Sequence, residues 1–339
     1  MAMTTVLVTG GAGYIGSQVV LALLDAGFRP VVLDNLSTGT RDAVPPGVRL
    51  FPGDAGDATL VQAVLARTGA QVVMHFAASL VVPDSIREPL RYWRNNLGTT
   101  LGLLEGMVAA GVPLLVLSST AAVYGIPETL PVHEDAACQP INPYGSSKLA
   151  AERLVAEAAA AHALRYVALR YFNVAGADPQ GRSGQRRPGA THLIKVACDA
   201  ALGRRLAVDI HGDDYATPDG TGVRDYVHVA DLAAAHVAAL HHLLGGGENL
   251  TLNCGYGHGH SVREVLAAVG RAAGRPVPWR MAPRRPGDPP AVVARADRVR
   301  QRLGWRPQHD DLGRIAADAL AWERRLEHRS VESLARIGG

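Results

Sequence analysis

Tyr144 and Lys148 stand four residues apart in the stretch Asn142-Pro143-Tyr144-Gly145-Ser146-Ser147-Lys148. Asn142 suits a helix N-cap, and Pro143 suits the first helical position, where a fixed φ helps and no N–H is needed. The spacing then puts both side chains on one helix face. A free tyrosine has a pKa of about 10, so roughly one in a thousand is ionised near neutrality. A neighbouring cation lowers that pKa by about one to three units, and two bring it close to seven. The pair is therefore a candidate proton-abstracting base. Of 34 basic residues only Lys148 and Lys195 are lysine, and a guanidinium would not replace a compact ammonium here. Y-x-x-x-K alone is a frequent helical pattern, so the rest of the chain must supply the second cation.

Thr4 to Val8 reads as a buried strand, and a helix is expected from about Ile15 to Asp25, with Gly27 as its stop. Between them lies Thr9-Gly10-Gly11-Ala12-Gly13-Tyr14-Ile15-Gly16, which fits G-x-G-x-x-G. Such a turn lets backbone approach a pyrophosphate and sets the anion on a helix N-terminus. A second strand, Val31-Val32-Leu33, ends in Asp34 at the spacing of a ribose-binding carboxylate. That carboxylate favours NAD over NADP, although Arg41 could answer a phosphate. An oxidised nicotinamide is the missing second cation and a hydride acceptor. Further strands are expected at Val48–Phe51, Gln71–Met74 and Leu114–Leu117, with a long helix over Glu88–Ala110. The alternation predicts an α/β fold: a Rossmann-type doubly wound parallel sheet with a smaller mixed α/β substrate domain. Ligands then sit at the strand ends, where Asp54, the segment His75–Ala78 and Ser118-Ser119-Thr120 fall. The Thr120 hydroxyl is placed to bond the substrate oxygen that Tyr144 deprotonates.

The second half is less regular. Pro179–Gly189 reads as an exposed loop, Thr191–Leu202 as a helix and Asp209–Gly222 as a long polar loop. Asp231–Leu244 is helical, Leu250–Asn253 a strand, Ser261 a helix cap, and Arg280–Asp297 a basic, proline-rich loop. The expected division is 1–175 for the NAD-binding domain, with a returning segment at about 225–245, and 176–339 mainly for the substrate domain. A cationic second domain over the strand ends suits a diphosphate.

With 47% hydrophobic residues and a formal charge of +3, the chain is of ordinary globular composition and gives no argument for nucleic acid. No signal peptide or transmembrane run is visible. Cys138, Cys198 and Cys254 form no disulfide or zinc pattern, and scattered histidines give no metal site. A cytoplasmic location is expected.

The glycine turn, the strand-end Ser118-Ser119-Thr120 and the Tyr144–Lys148 pair resemble the extended short-chain dehydrogenase/reductase superfamily. Within it the chain resembles the UDP-glucose 4-epimerase (UDP-galactose 4-epimerase) family over nearly its whole length. The segments that carry this are Gly10–Ser17, Asp34-Asn35-Leu36, His75-Phe76-Ala77, Asn95-Asn96, Ser118–Gly125, Asn142–Lys148, Arg170-Tyr171-Phe172-Asn173, Asp219–Asp231 and Pro283–Asp288. The resemblance implies catalysis by Tyr144, Lys148 and Thr120, and interconversion of UDP-galactose and UDP-glucose through a 4-keto sugar with transient hydride transfer to bound NAD. It implies cofactor contacts from Gly10, Gly13, Tyr14, Ile15, Gly16, Asp34, Asn35, Asp54, Ala55, Phe76, Ala77, Ala78, Asn96, Ser118 and Tyr171, besides Tyr144 and Lys148. Asn173, Arg224 and Arg285 would hold the uridine diphosphate, Asp288 its ribose, and Phe172 could lie against the sugar. A homodimer is implied, through helices near Arg91–Met107 and Tyr144–Ala160.

Three positions depart from the family. Thr120 stands where serine is common, Leu80 where some members have a basic residue, and Val292 where a bulky tyrosine restricts the sugar. The smaller Val292 keeps UDP-N-acetylglucosamine open as substrate, and the arginines keep UDP-glucuronate open for an epimerase or decarboxylase. Ala121-Ala122 lack the Asp-Glu of 4,6-dehydratases. A non-catalytic NAD-binding regulator is the alternative outside enzymology, and the Tyr–Lys pair speaks against it.

Overall fold

The computed structural model describes residues 3–337 apart from Pro188 and Pro286, with side chains through Glu327. The first half runs β1 (Thr5–Thr9), α1 (Tyr14–Asp25), β2 (Arg29–Asp34), β3 (Arg49–Pro52), α2 (Ala58–Thr68), β4 (Val72–His75), α3 (Val82–Arg87), α4 (Pro89–Tyr92), α5 (Thr99–Ala109), β5 (Leu114–Thr120), α6 (Pro143–His162), β6 (Arg165–Tyr171) and β7 (Asn173–Ala175). It continues through α7 (Leu193–Ala201), β8 (Val208–His211), β9 (Val223–Arg224), β10 (Tyr226–His228), α8 (Val229–Leu244), β11 (Leu250–Cys254), β12 (His260–Ser261), α9 (Val262–Ala273), β13 (Trp279–Ala282), β14 (Ala291–Val292), α10 (Asp297–Leu303) and α11 (Leu312–Ile337).

Seven strands form one parallel sheet in the order β11-β6-β5-β4-β1-β2-β3. Helices cover both faces, so the central strands read as near-continuous apolar runs. Alternation still assigns each side chain to a face. Val6 and Val8 of β1 pack with Val19, Val20 and Leu23 of α1 and with α8, whereas Leu7 packs with α2, α5 and α6. Fully burying each such side chain contributes about 1.5–3 kcal/mol.

The long helix expected over Glu88–Ala110 is present with a change of pitch: α4 and α5 are joined by a π-helical turn, Trp93–Gly98. The two polar loops of the second half need correction. β8 takes residues from the Asp209–Gly222 loop, β13 and β14 take residues from the Arg280–Asp297 loop, and β13 pairs with β8 in parallel. Their partners lie about seventy residues apart, so no local pattern marks them. Pro286, inside the motif Pro283–Asp288, lies outside the described residues.

Three buried residues tie α6 to the sheet. Glu152 accepts a hydrogen bond from Ser119 of β5 and pairs with Arg170 of β6 at 2.6 Å. Arg170 also donates to the Tyr124 hydroxyl at 3.0 Å and the Glu134 carbonyl at 3.3 Å. Losing one partner of a buried pair leaves the other charge uncompensated. Arg170→Met is therefore expected to destabilise the fold by about 3–5 kcal/mol in urea titrations, and adding Glu152→Leu should restore much of that loss. A cost below about 1 kcal/mol for the single change would mean the pair is not the tie described.

Candidate active site

α6 starts as its sequence dictates. The Asn142 side chain accepts from the Gly145 N–H at 2.9 Å, and Pro143 follows at the first helical position. Tyr144 is thereby fixed in the first turn and Lys148, buried, one turn later. Thr120 ends β5, where its hydroxyl accepts from the Ala122 N–H at 3.1 Å and stands close enough to the Tyr144 phenol to favour its ionised form. Tyr92 stands edge-on to Tyr144, ring centroids 6.5 Å apart. Tyr144, Lys148 and Thr120 line one cavity of about 620 Å³ at the carboxyl ends of the strands.

Along the same cavity lie Gly10, Gly13, Tyr14, Ile15, Gly16, Asp34, Asn35, Asp54, Ala55, Phe76, Ala77, Ala78, Ser118 and Tyr171. Each was expected from the sequence. Gly10 adopts φ +70°, and a Cβ there would come within 2.6 Å of the Ala77 nitrogen. A side chain on Gly16 would strike the Gly10 carbonyl. Asp34 accepts from the Ala12 N–H at 2.9 Å and the Leu36 N–H at 2.8 Å, which leaves carboxylate lone pairs for a ribose. Asp54 accepts from the Gly56 N–H at 2.8 Å. Ser118 and Tyr171 are hydrogen-bonded to each other. A glycine cradle facing a helix N-terminus, with a carboxylate at the next strand end, fits NAD. Arg41 does not line the cavity.

Asn96 is a correction to the expected cofactor contacts. It lies behind the wall, with its amide accepting from the Ser79 N–H at 2.7 Å and donating to the Ser79 carbonyl at 3.1 Å and the Ser147 hydroxyl at 2.9 Å. It thereby staples the segment after β4 to α6, between Tyr144 and Lys148. Asn95 lines the cavity instead. The π-helical turn that offsets these neighbours has no sequence signature.

Phe172 and Asn173 reach the cavity, as expected for the substrate end. Arg224, Arg285, Asp288 and Val292 do not line it. Arg224 and Asp288 pair with each other at 2.7 Å. Val292 is buried in the same apolar cluster as Phe172 and Tyr124. Residues not foreseen also face the cavity: Arg91, Tyr92, Tyr226 and the stretches 184–187 and 190–194. Tyr226 is carried by β10, which pairs with β7 so that it stands beside Asn173. That parallel pairing across fifty residues is invisible to a local reading.

The charges differ from the expectation in one respect. Lys148 was expected to depress Tyr144; in the protein alone burial dominates and raises the Tyr144 pKa, against the Thr120 hydroxyl, which lowers it. Burial also pulls Lys148 down from 10.5 to about 8, against the charge of Glu152. His75, bonded to Thr9 at 2.7 Å, is pushed down to about 3 by burial and by Lys148, and so is neutral. Among the described residues no cluster of ligands could hold a metal ion, and no helix is long and apolar enough to cross a membrane.

The family model for the NAD dependent epimerase/dehydratase family matches residues 6–255. The chain is 57% identical over 334 residues to the UDP-glucose 4-epimerase of Azospirillum brasilense, covering 98% of this chain and 96% of the relative. It is similar to the crystal structure of UDP-glucose 4-epimerase from Brucella ovis in complex with NAD, at TM-score 0.91 and 45% identity over 94% of this chain and 98% of the other. It is likewise similar to the Bifidobacterium longum UDP-glucose 4-epimerase in complex with NAD+ and UDP, at TM-score 0.91 and 39% identity over 95% and 98%.

The buried lysine gives a pH signature. Its folded pKa lies below its unfolded one, so between pH 8 and 10.5 the native state binds fewer protons and stability rises with pH. Lys148→Met, compared with the parent after nucleotide is stripped, should be more stable at pH 7 by on the order of 3 kcal/mol. That gap should close as pH rises through the same window; a gap independent of pH in thermal melts would contradict the assigned charge state.

Proposed function

The chain belongs to the NAD dependent epimerase/dehydratase family, and on that premise we propose that it is an isomerase, interconverting UDP-galactose and UDP-glucose through a 4-keto sugar. The observation that carries this reading is that Tyr144, Thr120 and Lys148 line one cavity with the glycine cradle and with Phe172 and Asn173.

Gly10, Gly13, Gly16 and Asp34 would hold NAD, with Lys148 at the nicotinamide ribose. When bound, NAD supplies a hydride acceptor for C4 of the sugar and gives the same hydride back. Tyr144 takes the proton of the sugar 4-hydroxyl and returns it at the end of the cycle. Its pKa, raised by burial, must fall for that purpose, and the fixed charge of Lys148 acts together with the cationic ring to lower it. Thr120 bonds the 4-oxygen and steadies the proton between it and Tyr144. Asn173 would hold the uridine diphosphate from the cavity wall, joined by Arg224 and Arg285, with Asp288 at the ribose once its pair with Arg224 opens, so the sugar is tethered by its nucleotide. Aromatic Phe172 and Tyr226 grip the sugar weakly enough for its two faces to exchange.

Residues 1–175 with the returning segment serve the cofactor, and 176–339 mainly the UDP-sugar. Three free cysteines suit a reducing cytoplasm. A homodimer would cover the apolar side chains that α4, the π-helical turn and α5 leave outside, among them Leu90 at 76% and Leu101 at 46% exposure. Light scattering should then give twice the chain mass, and Leu101→Arg should shift it to the monomer; a monomeric parent would remove the dimer.

Purified protein given UDP-galactose and no added reductant should form UDP-glucose without net reduced nicotinamide. Tyr144→Phe should lower kcat by about 10²–10⁴-fold while still binding NAD and UDP. Absence of UDP-glucose even with NAD supplied would overturn the substrate assignment, and an active Tyr144→Phe would overturn the role of Tyr144.

A further inference from the structure

The stretches 184–187 and 190–194 line the cavity as a strap, and contacts of Gln185 and Arg186 with α11 hold it there. Trp322, 2% exposed, donates from its indole nitrogen to the Gln185 carbonyl at 2.9 Å. The Arg186 guanidinium lies 4.8 Å from the centre of the Trp322 ring. Upstream, Arg182 grips Asp178 at 2.8 Å and Asp25 of α1 at 2.9 Å, which ties the strap to the helix that starts at the glycine cradle. The Gln185 side chain accepts from the Arg187 N–H at 3.1 Å and lies 3.3 Å from the His192 ring nitrogen, so the backbone of Arg187 is set by its neighbours.

The charges lining the cavity are unevenly satisfied. Among the cations, Arg91 pairs with Glu88 at 3.2 Å, Lys148 faces Glu152, and Arg186 lies on Trp322. Arg187 lines the cavity half-buried and, among the described residues, pairs with no carboxylate. The acids on the wall are already engaged: Asp34 and Asp54 by backbone N–H groups and Asp84 by Arg87. Arg187 is also close enough to His192 for its charge to add to burial in lowering that histidine's pKa. His192 packs beside Tyr14 at the first turn of α1, ring centroids 6.4 Å apart. That turn has no side-chain cap. A half-buried guanidinium facing a cavity that also holds an uncapped helix N-terminus presents converging donors to an anion.

We propose that Arg187 is a diphosphate-binding residue, placed by the strap that Trp322 pins. The proposal rests on the epimerase reading for the identity of the two diphosphates on offer, that of the dinucleotide and that of the nucleotide sugar. Arg187→Ala should weaken binding of one of them by about tenfold or more, the loss expected for a charge-assisted hydrogen bond. Calorimetry with NAD on nucleotide-stripped protein and with UDP on the NAD-loaded protein tells the two sources apart, and Arg187→Lys should recover part of the loss. Both titrations stand even if UDP-galactose is not turned over, so failure of the epimerase reading is seen separately, in the parent protein's assay. Affinities for NAD and UDP both within about twofold of the parent would overturn the proposal. So would an equal loss of affinity for uridine, which has no phosphate, because the substitution would then be disturbing the cavity rather than removing a phosphate contact.

Discussion

One buried carboxylate holds the catalytic helix in place. Glu152 receives the Ser119 hydroxyl from β5, the Arg170 guanidinium from β6 and the charge of Lys148 from one turn earlier on its own helix. Two cations near a desolvated site would be costly without it. With it, Lys148 can stay charged inside the wall, although burial pulls its pKa to about 8. The position of Tyr144 follows, because Asn142 and Pro143 fix the start of the same helix. The chemistry then depends on an electrostatic balance that the protein leaves incomplete by itself. Burial raises Tyr144, and under the proposed mechanism a second positive charge would come with the cofactor to favour the ionised phenol.

The parts of this site that were legible in the sequence are those built from local rules. A capped helix start, a glycine turn between strand and helix, and an acid at the next strand end each occupy fewer than about ten residues. Tyr144, Lys148, Thr120, Asp34 and the glycines therefore lie where they were expected. The illegible parts are made by contacts between distant segments. β8 with β13 and β7 with β10 are parallel pairs whose partners are far apart, and both were hidden in polar or irregular stretches. The strap has no periodicity, and α11 determines where it goes. Asn96 shows a subtler limit. Sequence alone could not tell which of two adjacent asparagines faces the cavity, because a π-helical turn shifts the face by part of a residue.

The expectation for the substrate end came from resemblance, and the geometry gives it a particular form. Phe172 and Asn173 meet the cavity, while Arg224 and Asp288 neutralise each other and Val292 shares a buried cluster with Phe172. Their effect on a nucleotide sugar would depend on exchanging an internal ion pair for contacts with the ligand.

The apolar core on the α1 and α8 face of the sheet continues without a break into α7, α9 and α11. The two halves are thus not separate bodies joined by a flexible linker, and sliding them apart would expose one shared interior to water. A wide clamshell motion is consequently expensive. For a reaction that ends with its redox partner restored, stiffness would be an asset, because a dinucleotide need not leave while successive sugars come and go.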